Sequence, residues 1–213
     1  MEEPLRSILA GMPLVPVPFV PEIRLRTAAP SSGLRRLAEA RPGGPDRPPY
    51  WAFVWGGGAV LARYILDHPP CVAGRRVLDL GAGGGIVGIA AALAGAPAVA
   101  AADIDPDALV ALALNAQANG VAIETFSGDL TTGPAPDTDL ILVGDLFYER
   151  ELAERVTPFL DRCLTAGLKV LIGDPQRSHL PRERLRLLAE YAAPDFGDGA
   201  RAAASPGAVF AFE

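Results

Sequence analysis

From Arg76 onward the chain alternates short, continuously apolar runs with longer runs whose apolar positions recur every three to four residues. RVLDL at 76–80, AVAAAD at 98–103, IETFS at 123–127, DLILVG at 139–144, KVLIGD at 169–174 and AVFAFE at 208–213 are predicted as strands. GIVGIAAALAG at 85–95, PDALVALALNAQAN at 106–119, ELAERVTPFLDRCLTAG at 151–167 and PRERLRLLAEYA at 181–192 are predicted as helices. A strand with one wet face would alternate polar and apolar residues; these do not, so both faces are covered. The expected fold is α/β, a Rossmann-like, doubly wound and mostly parallel sheet, which takes its ligands at the carboxyl ends of its strands.

Upstream the pattern is weaker. Residues 1–48 are rich in proline and arginine, with one helical candidate, SGLRRLAEA at 32–40, and are assigned as an N-terminal extension to a main domain spanning 49–213. Within that domain AVLARYILDH at 59–68 has helical spacing and stops before Pro69 and Pro70. The apolar stretch at 11–21 is broken by Pro13, Pro16, Pro18 and Pro21, which suits neither a signal peptide nor a membrane helix. A chain of 213 residues, half of them hydrophobic, can bury one sizeable core. Its net charge of −6 gives no general pull toward nucleic acid. Cys71 and Cys163 are too few for a disulfide framework or a four-cysteine zinc site, so no metal is expected and a reducing, cytoplasmic setting fits.

Candidate chemistry begins at Asp79, an acid inside an apolar strand that runs into glycines. An unpaired buried charge costs several kcal/mol, so this one needs a use. Gly83, Gly85 and Gly88 match the dinucleotide pattern GxGxxG, which keeps an NAD(P)-dependent oxidoreductase open as a reading. The alternative parse, Asp79, Gly81, Gly83 and Gly85 as DxGxGxG, also accounts for the acid, which a pyrophosphate would repel. A carboxylate beside close backbone suits a ligand bearing an ammonium and a sulfonium, and S-adenosylmethionine is such a ligand. About 20 residues past the glycines, Asp103 is placed to accept from ribose hydroxyls. Asp105, directly before Pro106, reads instead as a helix N-cap, and Asp107 as a first-turn charge. After the third strand, Asp129 and Leu130 stand where adenine would lie in this topology. At the end of the fourth strand, Gly144 is counted with the cofactor site, and Asp145 emerges with Phe147 and Tyr148 beside it as a substrate-amine pocket. Trp51 and Phe53 are assigned to its mouth. His68 and His179 lie next to or near prolines and receive no catalytic role.

These motifs resemble class I S-adenosylmethionine-dependent methyltransferases, whose sheet has seven strands, and more narrowly the lysine methyltransferases with a DxxY motif after the fourth strand, here Asp145 and Tyr148. PEIRLR, PPYWAFVWGGGAVLARYILDHP, GDLFYE and IGDPQRSHLP are similar to the branch that acts on the electron-transfer-flavoprotein β-subunit. The resemblance implies S-adenosylmethionine as cofactor, S-adenosylhomocysteine as product, a lysine-bearing protein as acceptor, and Trp55 lying against the cofactor. The family often has proline after that tryptophan, where this chain has Gly56. A small-molecule N-methyltransferase acting on a nicotinamide-like amine would share the cofactor site and differ at the mouth.

Overall fold

The apolar runs become strands of a seven-stranded sheet in a computed structural model, which describes residues 2–28, 34, 49–192 and 206–213. In chain order the elements are α1 (Glu2–Gly11), β1 (Leu14–Val17), β2 (Val20–Arg26), α2 (Gly56–Asp67), β3 (Arg76–Leu80), α3 (Ile86–Leu93), β4 (Ala98–Asp103), α4 (Pro106–Ala118), β5 (Glu124–Ser127), β6 (Leu140–Gly144), α5 (Arg150–Thr165), β7 (Lys169–Asp174), β8 (Leu185–Ala192) and β9 (Pro206–Phe212). The sheet order is β5-β4-β3-β6-β7-β9-β8. β5 through β7 in that row are parallel, while β9 is antiparallel to both of its neighbours. Chain direction across the sheet reverses between β3 and β6, which opens a crevice at their carboxyl ends.

Side chains alternate between two cores. Val77, Leu140 and Leu142 pack with α2, α3 and the β1–β2 hairpin. Leu78, Leu80, Ile141 and Val143 pack with Phe159 and Leu160 of α5 on the opposite face. The inner strands β3, β6 and β7 are apolar on both faces because both are covered, as their unbroken runs predicted, whereas β5, at the sheet edge, is exposed along its length. No helix among the described residues is long and apolar enough to cross a membrane.

The three glycines opening α2 let its backbone lie on the sheet. A Cβ on Gly57 would sit 2.4 Å from the Gly173 carbonyl oxygen and 2.9 Å from the Asp145 nitrogen. Only a residue without a side chain permits that approach, and it brings the start of α2 directly over the carboxyl ends of β6 and β7.

Two regions depart from the sequence reading. PRERLRLLAEYA was expected as a helix; it forms a single 3-10 turn at Arg182–Arg184 followed by the edge strand β8. Leu185, Arg186 and Leu187 alternate as a strand does, but a register irregularity between Leu187 and Ala189 breaks the period, leaving a spacing that imitates a helix. Upstream, the proline-rich segment holds α1 and an antiparallel hairpin, with Pro16 and Pro21 in strands that lie outside the main sheet. The helical candidate at 32–40 lies outside the described residues except for Leu34, which is buried. The hairpin is tied to α4 by two asparagines one helical turn apart. Asn119 Oδ1 accepts from the Arg24 N–H at 2.9 Å, and Asn115 Oδ1 accepts from the Arg26 N–H at 2.9 Å.

Candidate active site

A cavity of about 830 Å3 lies at the carboxyl ends of β3, β4 and β6. Its floor is the glycine loop. Gly81, Gly83 and Gly85 all have positive φ, at 68°, 51° and 89°, so each glycine of the DxGxGxG parse occupies backbone space that other residues avoid. Gly81 and Gly83 line the cavity; Gly85 caps α3 behind it, packed against Leu112. Gly88 belongs to α3, where its N–H donates to Asp79 Oδ2 at 2.8 Å. Asn115 holds the loop from behind, its Nδ2 donating to the Gly84 carbonyl at 2.9 Å, so the N-terminal hairpin and the loop share one side chain.

Asp79 lines this cavity yet is 1% exposed. Burial pushes its carboxyl up to about 7, against the Gly88 hydrogen bond, and the nearby Asp103 charge pushes in the same direction as burial. Asp103 Oδ2 accepts from the Gly83 N–H at 2.8 Å, and its Oδ1 from the Asp105 N–H at 2.9 Å. Burial raises this carboxyl as well. Asp105 is the N-cap of α4, accepting from the Asp107 N–H at 3.0 Å, and both Asp103 and Asp105 line the cavity. Asp129 caps the short turn Leu130–Thr132, with hydrogen bonds from Thr131 lowering its carboxyl, and both Asp129 and Leu130 line the cavity.

At the other end, Gly144 and Asp145 also line the cavity. Asp145 has φ 60°, a costly conformation for a residue with a side chain. Its N–H donates to the Gly173 carbonyl at 2.9 Å, and its Oδ2 accepts from the Gly57 N–H at 2.8 Å. Oδ1 is paired with the Arg177 guanidinium. Arg177 was given no role on sequence; its signal was its place in IGDPQRSHLP, just past the end of β7. Phe147, expected at the substrate, is fully buried in the core under α5. The turn at Asp145 presents Leu146 to the cavity instead, with its side chain against Gly81.

The mouth is aromatic and open. Tyr50 is 50% exposed, Phe53 46% and Tyr148 46%, all on the cavity wall. Ring centroids lie 6.0 Å apart for Tyr50 and Tyr148, 5.6 Å for Tyr50 and Trp55, and 6.4 Å for Phe53 and Trp55. Trp55 is anchored by its indole N–H, which donates to the Tyr50 carbonyl at 2.8 Å. Trp51, expected at the mouth, lies deeper: it is buried, its backbone against Gly83 and Gly84 and its side chain in the cluster with Leu5 and Leu9 of α1, and its indole N–H has no acceptor among the described residues.

The donor set decides which cofactor fits. Acids crowd the loop, so a pyrophosphate there would meet Asp79, Asp103 and Asp105 with no compensating cation at the glycines. The cavity's arginines are committed elsewhere, Arg177 at Asp145 and Arg155 at 3.6 Å from Asp129. A ligand with two positive centres and an adenosine offers a cation to Asp79 and hydroxyls to Asp103. S-adenosylmethionine fits this set and a dinucleotide does not.

Comparison with known proteins agrees. The sequence profile of the lysine methyltransferase family matches residues 51–190. The chain is 44% identical over 183 residues to the electron transfer flavoprotein beta subunit lysine methyltransferase of Danio rerio, covering 83% of this chain and 70% of that protein. The Xenopus laevis protein of the same name is 43% identical over 188 residues, covering 84% and 74%. Among solved structures, a putative RNA methyltransferase from Pyrococcus horikoshii superposes with a TM-score of 0.58 at 15% identity, covering 84% of this chain and 96% of that one, which is a likeness of fold. Matched across its strands and along most of each relative, the chain belongs to the lysine methyltransferase family and uses S-adenosylmethionine as its methyl donor.

Proposed function

We propose that this lysine methyltransferase acts on the electron-transfer-flavoprotein β-subunit, with Asp145 and Tyr148 at the reacting amine. The observation that carries the acceptor class is the exposed rim of Tyr50, Phe53 and Tyr148: a long side chain from another protein can enter between these rings, whereas a metabolite site would be closed over. The named acceptor is supported by the relatives, which carry that substrate in their names. A reducing, cytoplasmic setting belongs to the same reading, supported by Cys71 and Cys163 being unpaired.

S-adenosylmethionine, when bound, supplies an electrophilic methyl group on a sulfonium. Asp79 and the backbone of Gly81 and Gly83 would hold its amino-acid end, Asp103 the ribose, Asp129 and Leu130 the adenine, with Trp55, Gly144 and the loop ending at Gly85 completing the wall. The acceptor lysine must lose a proton before it can attack, because its ordinary pKa is near 10.4. Tyr50, Phe53 and Tyr148 strip water from the entering side chain, which favours the neutral amine. Their π faces attract the ammonium as it arrives. Asp145, fixed by Gly57 and Arg177, orients the nitrogen, and such alignment contributes several kcal/mol by itself.

The test is methyl transfer from labelled S-adenosylmethionine to purified electron-transfer flavoprotein and, separately, to nicotinamide, with mass spectrometry locating the label. Label on a β-subunit lysine is expected. Label on nicotinamide alone would overturn the protein-substrate reading.

A further inference from the structure

Asp145 poses a difficulty for the reaction just described, on which this inference rests. A bare carboxylate that orients a lysine also stabilises it as the ammonium, and the ammonium cannot attack. The structure surrounds Asp145 with an arrangement that separates the two effects. Asp145 and Asp174 end the adjacent strands β6 and β7, and Arg177 bridges them. Its backbone N–H donates to Asp174 Oδ1 at 2.6 Å, while its guanidinium Nε pairs with Asp145 Oδ1. Asp174 is fully buried, and its Oδ2 has no donor among the described residues. The segment that delivers Arg177 is strained: among the described residues, the non-glycine positions with positive φ are Asp145 and Gln176, one on each side of this bridge. Strain of that kind persists where surrounding structure imposes it, and it clusters at functional sites.

We infer that Arg177 is the positioning residue for the acceptor amine, holding the Asp145 carboxylate in one orientation and cancelling its charge so that Asp145 aligns lysine without keeping it protonated. A carboxylate has about four acceptor lone pairs, so the bonds from Arg177 and Gly57 do not by themselves exhaust it. The proton released by the lysine passes to water through the open mouth. Other charged or titratable groups share the cavity: Asp79 and Asp103 from β3 and β4, Asp105 and Asp107 at the start of α4, Asp129 after β5, Tyr50 ahead of α2, Tyr148 and Glu149 after β6, and Arg155 from α5. Asp174 faces Asp145 from β7. Tyr148 is held above its ordinary value by partial burial.

The experiment compares kcat/KM of the full chain and its Arg177→Met variant between pH 7.5 and 10, with a lysine-bearing protein as acceptor. Asp79 lies at about 7 in both proteins, whereas Asp174, also at about 7, loses the lowering pull of the Arg177 charge in the variant, so both profiles are also recorded in an Asp174→Asn background, where the same upward shift is expected. Arg177→Met keeps the backbone bond to Asp174, so folding is expected to survive. The alkaline rise of the variant is expected to move up by about one pH unit or more, giving about a tenfold loss at pH 8 that recovers toward pH 10. Arg177→Lys keeps the charge but not the planar fork, so it should retain the wild-type pH profile with lower kcat. Affinity for S-adenosylmethionine should be unchanged in both. A profile for Arg177→Met that overlays wild type after scaling would sink the inference. Should that variant not fold, Arg177→Gln carries the same expectation. Failure of wild type to label any lysine, with label on nicotinamide, would instead remove the function on which the inference stands.

Discussion

Replacing Asp79 by asparagine should make the cofactor-free protein more stable at pH 8 while destroying its affinity for S-adenosylmethionine. Asparagine is close in shape, and its side-chain oxygen can still accept the Gly88 N–H that Asp79 Oδ2 accepts at 2.8 Å. What it removes is a charge that burial resists. In the unfolded chain an aspartate gives up its proton near pH 3.9, whereas Asp79 in the fold keeps it to about 7. Between those values the folded state holds more protons than the unfolded state, so the contribution to stability falls as pH rises through that window and is flat above it. A gap of about three pH units corresponds to about 4 kcal/mol. Roughly 2 to 3 kcal/mol of this falls between pH 5 and pH 8. Asp174 is pushed to about 7 in the same way, but it is common to both proteins and cancels in their difference. Urea unfolding of wild type and Asp79→Asn at both pH values measures that difference directly. The variant's advantage should widen from pH 5 to pH 8 by about 2 to 3 kcal/mol, and calorimetry at pH 8 should find its cofactor binding lost. An advantage that is the same at both pH values, or a variant less stable at pH 8, would refute the claim that Asp79 is a charge held against the fold for a cationic ligand.

Asp103→Ala should weaken S-adenosylmethionine and S-adenosylhomocysteine by about tenfold or more, the worth of one to two charge-assisted hydrogen bonds, in calorimetric titration. NADH, titrated alongside, should bind to neither protein; NADH binding to wild type would revive the GxGxxG reading. Gly57→Ala, whose new methyl would stand 2.4 Å from the Gly173 oxygen, should cost about 2 to 4 kcal/mol, seen as a fall of roughly 5–15 °C in thermal midpoint. Asp145→Asn should lower kcat at least tenfold with cofactor affinity unchanged, read by single-turnover methylation; full turnover would remove Asp145 from the amine site.

How much of this was legible depends on the range of the interaction involved. The glycine loop could be read because positive φ is a local demand that only glycine meets cheaply, and Asp105 could be read as a cap because its partner, Asp107, is two residues away. The inner strands were visible because burial on both faces leaves continuous apolar runs. Phe147 and Leu146 were exchanged because one residue with positive φ, Asp145, redirects the chain after β6, and no periodicity reports that turn. Strand β8 read as a helix because its pairing with β9 and the irregularity at Leu187 are set by a strand some twenty residues later.

The sequence by itself therefore determined the layered fold, the cofactor's chemical character and the acids that line the cavity at the strand ends, since each follows from composition over a few neighbouring positions. Only the tertiary structure decided that Gly57, Asp145, Asp174 and Arg177 form one cluster, and that Asn115 ties the N-terminal hairpin to the cofactor loop. These residues come from separate elements brought to one end of the sheet. Their contacts depend on how the strands are ordered and how closely α2 approaches them, and neither is written in any short stretch of chain.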